Sequence, residues 1–272
     1  MARGISTGLS TGVVAGGVAV LVAASGCRPG AVLASPVGVA TAGMLGEGAS
    51  FTARDSGLVV GPLRAEGSLD AGAFWPSADR VDTFRRRLSS DRNDQQVERT
   101  IASAGAGAIE VTLATGGERV GRNRLVLDEA GDVVIAENEG NGIASVFTPA
   151  ALFLPARLGA GERVERRFDV RSEGGLFGTG SGTGSGVVEG VGLQTVRTDS
   201  GDVEAFVVDS RLDFRVGPAR IVLASRGWFA AAPGGPGLVA EEGRELVKVF
   251  GLTVHDVTRV SVIERAGAAP TN

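Results

Sequence analysis

Two glutamates are the first residues whose type and spacing suggest chemistry. Glu137 and Glu139 stand two residues apart in a predicted strand, so their side chains share a face and their backbones lie ~6.6 Å apart. A carboxylate pair near this separation performs acid/base catalysis in glycoside hydrolases. Sugar sites also use aromatic platforms, however, and the chain has two tryptophans and no tyrosine. Paired glutamates are common on solvated strand faces, so a glycan-acting hydrolase using this pair is the least favoured function.

The sole histidine, His255, offers little more. It lies in the stretch TVHDVT, on the face of Thr253 and Val257 and opposite Leu252 and Val254. One histidine cannot build a His-rich metal site, and no G-x-S-x-G elbow is present to support a serine hydrolase. We predict an exposed or edge-lying histidine, no catalytic residue, and a protein that is not an enzyme.

Two glycine-rich stretches resemble ligand-binding loops in composition alone. Residues 175–186, GLFGTGSGTGSG, lack the lysine of a phosphate loop and never make the G-x-G-x-x-G spacing of a dinucleotide site. We predict a flexible hairpin loop there. Residues 137–142, ENEGNG, begin like a calcium loop, but the twelfth position is Thr148 instead of glutamate. A strand ending in a glycine turn is predicted, so neither a metal nor a cofactor is expected.

The N-terminus indicates where the protein is located. After Arg3, residues Val13 to Ala24 form a run of twelve without a polar side chain. A membrane-spanning helix needs roughly 20 such residues, whereas the apolar core of a secretory signal has about 7 to 15. The small residues Ser25 and Gly26 then precede Cys27, the only cysteine.

This arrangement resembles the lipobox of bacterial lipoproteins. The resemblance implies that the thiol of Cys27 receives a diacylglyceryl group, that cleavage makes Cys27 the first residue, and that its amine is then acylated, for example by palmitate. Ala24 stands where leucine is commonest in that family. Arg28 is not the aspartate that retains such proteins at an inner membrane, which favours an outer membrane, facing the periplasm. An ordinary secretory signal with an incidental cysteine is the alternative.

Composition narrows the remaining classes. The formal net charge of -4 argues against a nucleic-acid partner, which requires a basic surface. A single cysteine excludes an intramolecular disulfide and a cysteine-based zinc site. The 43 glycines cluster between short apolar runs, as turns do in an all-β domain.

The chain divides into four parts by pattern. We predict a signal peptide over 1–26, a lipidated N-terminus and flexible tether over 27–50, a single antiparallel β-rich domain over 51–266, and a tail over 267–272. Alternation such as Ile109, Val111 and Leu113 in AIEVTLAT marks the strands. The expected fold class is all-β, or β-rich α+β, with about ten strands in a curved antiparallel sheet or partial barrel. Residues 77–100 fit a helix or a hairpin, and the alternation of Val97, Arg99 and Ile101 favours the hairpin.

Two motifs resemble a class of secreted bacterial β-domains of unknown function, called TapB-like. Within 146–170 the matching residues are Phe147, Pro149, Leu154, Pro155, Gly159, Gly161 and Glu162, and Val164 replaces a common tryptophan. Within 227–243 they are Trp228, Phe229, Pro233, Gly234, Gly237 and Val239. The resemblance implies a curved sheet, sometimes compared with periplasmic lipoprotein carriers, and no established catalysis.

Together these patterns predict a lipid-anchored envelope protein. Its β-domain would be a non-enzymatic binding or scaffolding module with an envelope protein as partner. The alternative is a carrier of an apolar ligand such as an acyl chain. That alternative predicts a cavity lined by Phe206, Val208, Leu212, Phe214, Leu223 and Phe229.

Overall fold

A computed structural model describes residues 58–76, 79–88, 94–140, 142–174, 178–232 and 235–268. Cys27 lies outside the described residues. Within them the chain forms one 3-10 turn, Ala71–Phe74, and fifteen strands. The strands are β1 Val59–Val60, β2 Ser68–Asp70, β3 Arg80–Leu88, β4 Gln95–Ser103, β5 Ala108–Thr115, β6 Glu118–Leu127, β7 Val133–Gly140, β8 Ile143–Leu154, β9 Arg157–Gly159, β10 Arg163–Gly174, β11 Gly180–Thr198, β12 Gly201–Val216, β13 Ala219–Ala232, β14 Gly235–Val249 and β15 Leu252–Ala268.

Twelve of these strands close into an antiparallel barrel. The ring runs β11-β10-β8-β7-β6-β5-β4-β3-β15-β14-β13-β12, and β12 pairs again with β11. The strand β1 is added beside β11, while β2 and β9 form a separate pair. The all-β prediction is confirmed, but an open sheet or partial barrel of ten strands is wrong. Closure leaves no free edge in the ring, which satisfies the backbone groups that a twisted open sheet would expose.

The alternation of apolar and polar residues along a strand corresponds to the inner and outer faces of the barrel. Ile109, Val111 and Leu113 are all buried and face the barrel interior, as predicted. Within residues 77–100 the described strands β3 and β4 pair antiparallel, as predicted for a hairpin, with Phe84 opposite Val97. Strand β15 extends to Ala268, two residues past the predicted domain boundary, because its end still pairs with β3.

Part of the glycine-rich stretch, residues 180–186, forms a strand and not the predicted flexible loop. From Gly180 onward it belongs to β11, with glycines facing inward and Ser181, Thr183 and Ser185 facing outward. A Cβ on Gly184 would lie 2.3 Å from Cβ of Phe214 and 2.8 Å from Cε2 of Phe168. The inward glycines therefore leave room for aromatic rings on the neighbouring strands.

A second layer covers part of the outer surface. The long hairpin of β11 and β12 packs over β13 to β15, where Trp228 Nε1 donates a hydrogen bond of 2.8 Å to Oε1 of Gln194. Val196 and Val207 belong to one buried apolar cluster with Trp228 and Val262. This layer hides the outer face of three barrel strands.

Candidate functional site

One end of the barrel is closed by residues 69–76, here called the plug. Strand β2 pairs with β9, and Asp70 caps the following 3-10 turn by accepting a 2.9 Å hydrogen bond from Gly72 N. Ala71 is fully buried. The ring of Phe74 meets Phe229 edge to face, with centroids 5.9 Å apart. The plug thus places an aromatic side chain of the chain itself inside the mouth of the barrel.

Beneath the plug lies a cleft of about 70 Å³. Its walls are mostly apolar, and two arginines, Arg80 and Arg99, form its polar side. The volume corresponds to about two waters and is well below the ~150 Å³ cavity that holds benzene. The apolar wall residues include Ile101, Ile109, Val111, Leu125, Leu154 and Leu238.

The two arginines share one carboxylate, Asp82, which is fully buried. Arg80 Nε and Nη2 donate to Oδ1 of Asp82 over 3.0 and 2.8 Å. Arg99 Nε and Nη2 donate to Oδ2 over 3.1 and 2.5 Å. The guanidinium of Arg99 also stacks 4.6 Å from the centre of the Phe84 ring. Burial lowers the pKa of Arg99, and the charge and hydrogen bonds of Asp82 oppose that shift.

A second buried pair extends this polar layer. Arg259 Nη2 donates to Oε1 of Glu241 over 2.9 Å, and the charge of Glu241 also acts on Arg99. Within the described chain, Arg259 Nε and Ser261 Oγ are buried and make no hydrogen bond. Across the two pairs, the three guanidinium groups of Arg80, Arg99 and Arg259 face two carboxylates. The layer therefore contains two buried donors, Arg259 Nε and Ser261 Oγ, that suit a polar or anionic ligand.

The six predicted ligand-lining residues lie together inside the barrel. All are buried in one apolar cluster, together with Phe147 and Phe168. The aromatic rings pack edge to face, as between Phe147 and Phe214 at 6.2 Å. Phe229 lines the cleft. The other five residues are not among the described residues that line it. The cluster members are Phe206, Val208, Leu212, Phe214, Leu223 and Phe229.

The glutamate pair lies on the outer face of β7, away from the cleft. Glu137 receives a hydrogen bond of 3.2 Å from Arg124, and Glu139 receives one of 3.1 Å from Arg119. Arg122 lies between them, 3.2 Å from Glu139. The shared face is confirmed, and arginines surround both carboxylates. Among the described residues no group of three or more His, Cys, Asp or Glu side chains could hold a metal.

His255 is more enclosed than predicted. It lies on the predicted face of β15 shared with Val257, but that face is turned inward, and only 11% of the His255 side chain is exposed. Its Nε2 lies 3.8 Å from Oε1 of Glu245. Burial lowers the pKa of His255, and the charge of Asp256 opposes that shift. The exposed position is wrong because the inward face at this end of β15 is covered by the barrel.

A row of charges crosses the outer face of β11 to β14. Glu189 pairs across strands with Asp209, Asp209 with Arg226, and Arg226 with Glu242. Arg226 makes two 2.7 Å hydrogen bonds to Asp209. Burial raises the pKa of Glu242 to about 7, Arg226 opposes that shift and Asp209 adds to it. Glu242 is therefore a buried carboxyl that the fold prefers protonated.

This preference makes stability depend on pH. Since the pKa of Glu242 rises from 4.5 to about 7 on folding, stability is lost as pH increases through that window. At 1.36 kcal/mol per pKa unit, the loss above pH 7 is up to about 3 kcal/mol. We expect Glu242→Gln to stabilise the protein by up to this amount at pH 8 and to change it little at pH 5. Urea denaturation at both values measures the difference, with the exposed Glu165→Gln as control; an equal effect at the two values would contradict the assignment.

The charged groups of the cleft were not predicted as site residues, although one signal was present. Arg99 stands in the middle of the alternation Val97, Arg99, Ile101, where a solvated residue is not expected. A charge on the apolar face of a strand indicates a buried partner, which here is Asp82. The plug residues carry no such pattern.

The described residues include no helix long and apolar enough to cross a membrane.

Comparison with known proteins does not assign this chain to a family. No protein-family model matches the chain, and no curated protein sequence matches it. Three solved structures show a distant likeness, each aligned over 71% of this chain. A Bacteroides fragilis protein, provisionally described as exported and with a YmcC-like fold, is 14% identical over 97% of its own chain, with a TM-score of 0.41.

The other two are lipoproteins by description. The hypothetical lipoprotein YmcC of Escherichia coli is 12% identical over 89% of its chain, with a TM-score of 0.37. A Parabacteroides distasonis lipoprotein is 10% identical over 97% of its chain, with a TM-score of 0.33. Since all three TM-scores lie below 0.5, the function of this chain is not inferred from these proteins. The resemblance to TapB-like domains stays a prediction.

Proposed function

We propose that this chain is a lipid-anchored protein of the bacterial cell envelope, held on a membrane through Cys27. The apolar run Val13 to Ala24, the small residues before Cys27 and the absence of any second cysteine support the anchor. Two or three acyl chains suffice for stable membrane attachment, whereas a single chain binds weakly. Arg28 favours the outer membrane, facing the periplasm.

The barrel acts in this proposal as a non-enzymatic binding module whose ligand enters at the plug. The main support for this proposal is the cleft, where apolar walls meet two buried arginines beneath the aromatic ring of Phe74. Arg99 uses Nε and Nη2 for Asp82, which leaves the two hydrogens of Nη1 available. The ligand class is therefore a small amphipathic molecule with an apolar part and an anionic group.

The size of the cleft favours such a molecule over a long acyl chain. An acyl chain inside the barrel would have to displace the packed cluster that contains Phe206 and Phe214. A small ring needs only the space that Phe74 now fills, next to Phe229. Ligand entry accordingly requires the plug to move and the rest of the barrel to stay closed.

Mass spectrometry of protein extracted from the membranes of expressing cells tests the anchor and the ligand together. Under denaturing conditions we expect a chain that begins at Cys27 and carries diacylglyceryl and acyl mass. Under native conditions we expect an additional small anionic molecule. A full-length chain starting at Met1 with a free thiol would contradict the anchor, and a native mass equal to the denatured one in wild type would count against the ligand.

Removal of the Phe74 ring tests the site directly. In detergent-solubilised protein, Phe74→Ala should bind benzoate at least about tenfold more tightly than wild type, because the vacated ring volume adjoins the arginines. Saturation at about 100 times Kd should then stabilise the variant by ~2.7 kcal/mol. Benzylammonium should bind at least tenfold more weakly than benzoate. The exposed Phe250→Ala is the matched control; equal binding of both compounds to Phe74→Ala would overturn the proposal.

A further inference from the structure

The turn between β14 and β15 exposes three apolar side chains at the barrel end opposite the plug. Phe250 is 83% exposed, Leu252 73% and Val254 54%. Among the described residues β15 pairs with β3 from Arg259 onward, and the N–H of Phe250 donates a 3.2 Å hydrogen bond to the carbonyl oxygen of Pro218 in the turn between β12 and β13. Phe250, Leu252 and Val254 form what we call the apolar tip. A turn with three exposed apolar side chains is unusual for a surface that meets water alone.

The backbone at the tip is strained for the residue it carries. Phe250 has φ of 50° and Gly251 has φ of 83°, the pattern of a two-residue hairpin turn that favours Asn-Gly. A side chain in this left-handed region costs about 1–2 kcal/mol, and Asn tolerates it best. Since the exposed phenyl ring packs on little of the fold, its presence at this position points to a partner outside the chain.

A line of cations lies directly behind the tip on the outer face. Arg215, Arg220 and Lys248 are cross-strand neighbours on β12, β13 and β14. Lys248 is the only lysine of a chain whose formal net charge is -4. The line is therefore a local departure from an acidic protein.

Acidic residues in the next row offset only part of this charge. Asp213 is held by Arg220 at 2.7 Å and by Arg211 at 3.1 Å, and Asp256 is held by Arg244 at 2.8 Å. Over the last three outward rows of β12, β13, β14 and β15, the described residues include five cations and two carboxylates. The cations are Arg211, Arg215, Arg220, Arg244 and Lys248.

We propose that the apolar tip inserts into the interface of an anionic lipid bilayer, with the cations behind it contacting the phosphate headgroups. Apolar side chains ahead of a basic row match a bilayer, whose anionic surface covers an apolar interior. An exposed apolar turn with cations behind it suits a fluid anionic surface. This contact does not depend on the lipid at Cys27, and it would orient the barrel with its plug away from that surface.

Vesicle co-sedimentation of the chain from residue 27 onward, carrying Cys27→Ser so that neither the signal nor a lipid contributes, tests the insertion. Phosphatidylcholine vesicles with phosphatidylglycerol should bind it, and added salt should weaken binding because headgroup contacts are screened. In this background Phe250→Asn should weaken binding at least about tenfold, the value of one buried aromatic side chain. Lys248→Gln should weaken it about fivefold, as for one cation near the surface. Val146→Asn, an exposed apolar residue on β8, is the matched control and should have no effect.

Two further measurements separate insertion from other causes. Phe250→Asn should raise the midpoint of thermal unfolding slightly, since Asn is favoured at this turn, so lost binding cannot reflect lost folding. In the Phe250→Trp variant, tryptophan fluorescence should shift to shorter wavelength when vesicles are added, and brominated lipid should quench it. The chain without this substitution, which contains Trp75 and Trp228, provides the reference. Unchanged binding by Phe250→Asn, an unquenched Trp at this position, or a protein bound at the tip without vesicle binding would overturn the proposal.

Discussion

Asp82→Ala is expected to destabilise the protein by about 3–5 kcal/mol, since it leaves the buried guanidinium groups of Arg80 and Arg99 without their shared carboxylate. Asp82 is fully buried and accepts four hydrogen bonds from the two arginines. Its loss leaves two buried guanidinium groups without the carboxylate that balances their charge. Urea denaturation followed by circular dichroism measures the change.

Two comparisons decide whether this effect belongs to the buried triad. Asp202→Ala removes the partner of Arg197 at the surface and should leave the urea midpoint nearly unchanged. The triple variant Arg80→Met, Asp82→Leu, Arg99→Met replaces the charges by apolar groups and should fold with near wild-type stability. That triple variant should also lose the preference for benzoate over benzylammonium. If Asp82→Ala behaved like Asp202→Ala, the triad would not be buried as described.

Gly184→Val is expected to destabilise the barrel by more than about 3 kcal/mol, beyond the usual range for overpacking. Any Cβ at this position meets Cβ of Phe214 at 2.3 Å and the carbonyl oxygen of Asp213 at 2.9 Å. The conflict cannot be relieved by a side-chain rotation, because Gly184 is paired across strands with Phe214 itself. Thermal and urea unfolding of the purified variant measure the loss.

The neighbouring residue provides the control for this prediction. Ser185→Val adds a similar volume on the outward face of the same strand and should change stability by less than about 1 kcal/mol. A comparable loss in both variants would mean that the strand tolerates no substitution for reasons other than close packing. A Gly184→Val variant as stable as wild type would show that the aromatic cluster of Phe147, Phe168 and Phe214 can open.

Local pattern was sufficient to predict most strands. Alternation such as Ile109, Val111 and Leu113 repeats every two residues, so it indicates both the strand and its buried face without knowledge of partners. Turns also depend on neighbouring residues alone. At Asp128, for example, the side chain accepts hydrogen bonds from Ala130 N and Asp132 N. The same local logic failed for the glycine-rich stretch. Glycine there serves rings on other strands, which no feature of residues 180–186 reveals.

The sequence by itself determined the all-β class, hairpins such as β3 with β4, the buried face of strands such as β5 and the expectation of a lipid at Cys27. Tertiary structure alone decided that β3 meets β15 and closes the ring, that Phe74 plugs the barrel against Phe229, and that Asp82 joins Arg80 to Arg99. The division has a physical reason. Strand periodicity arises from the geometry of neighbouring residues, whereas closure and charge pairing depend on side chains that meet only after distant segments have folded together.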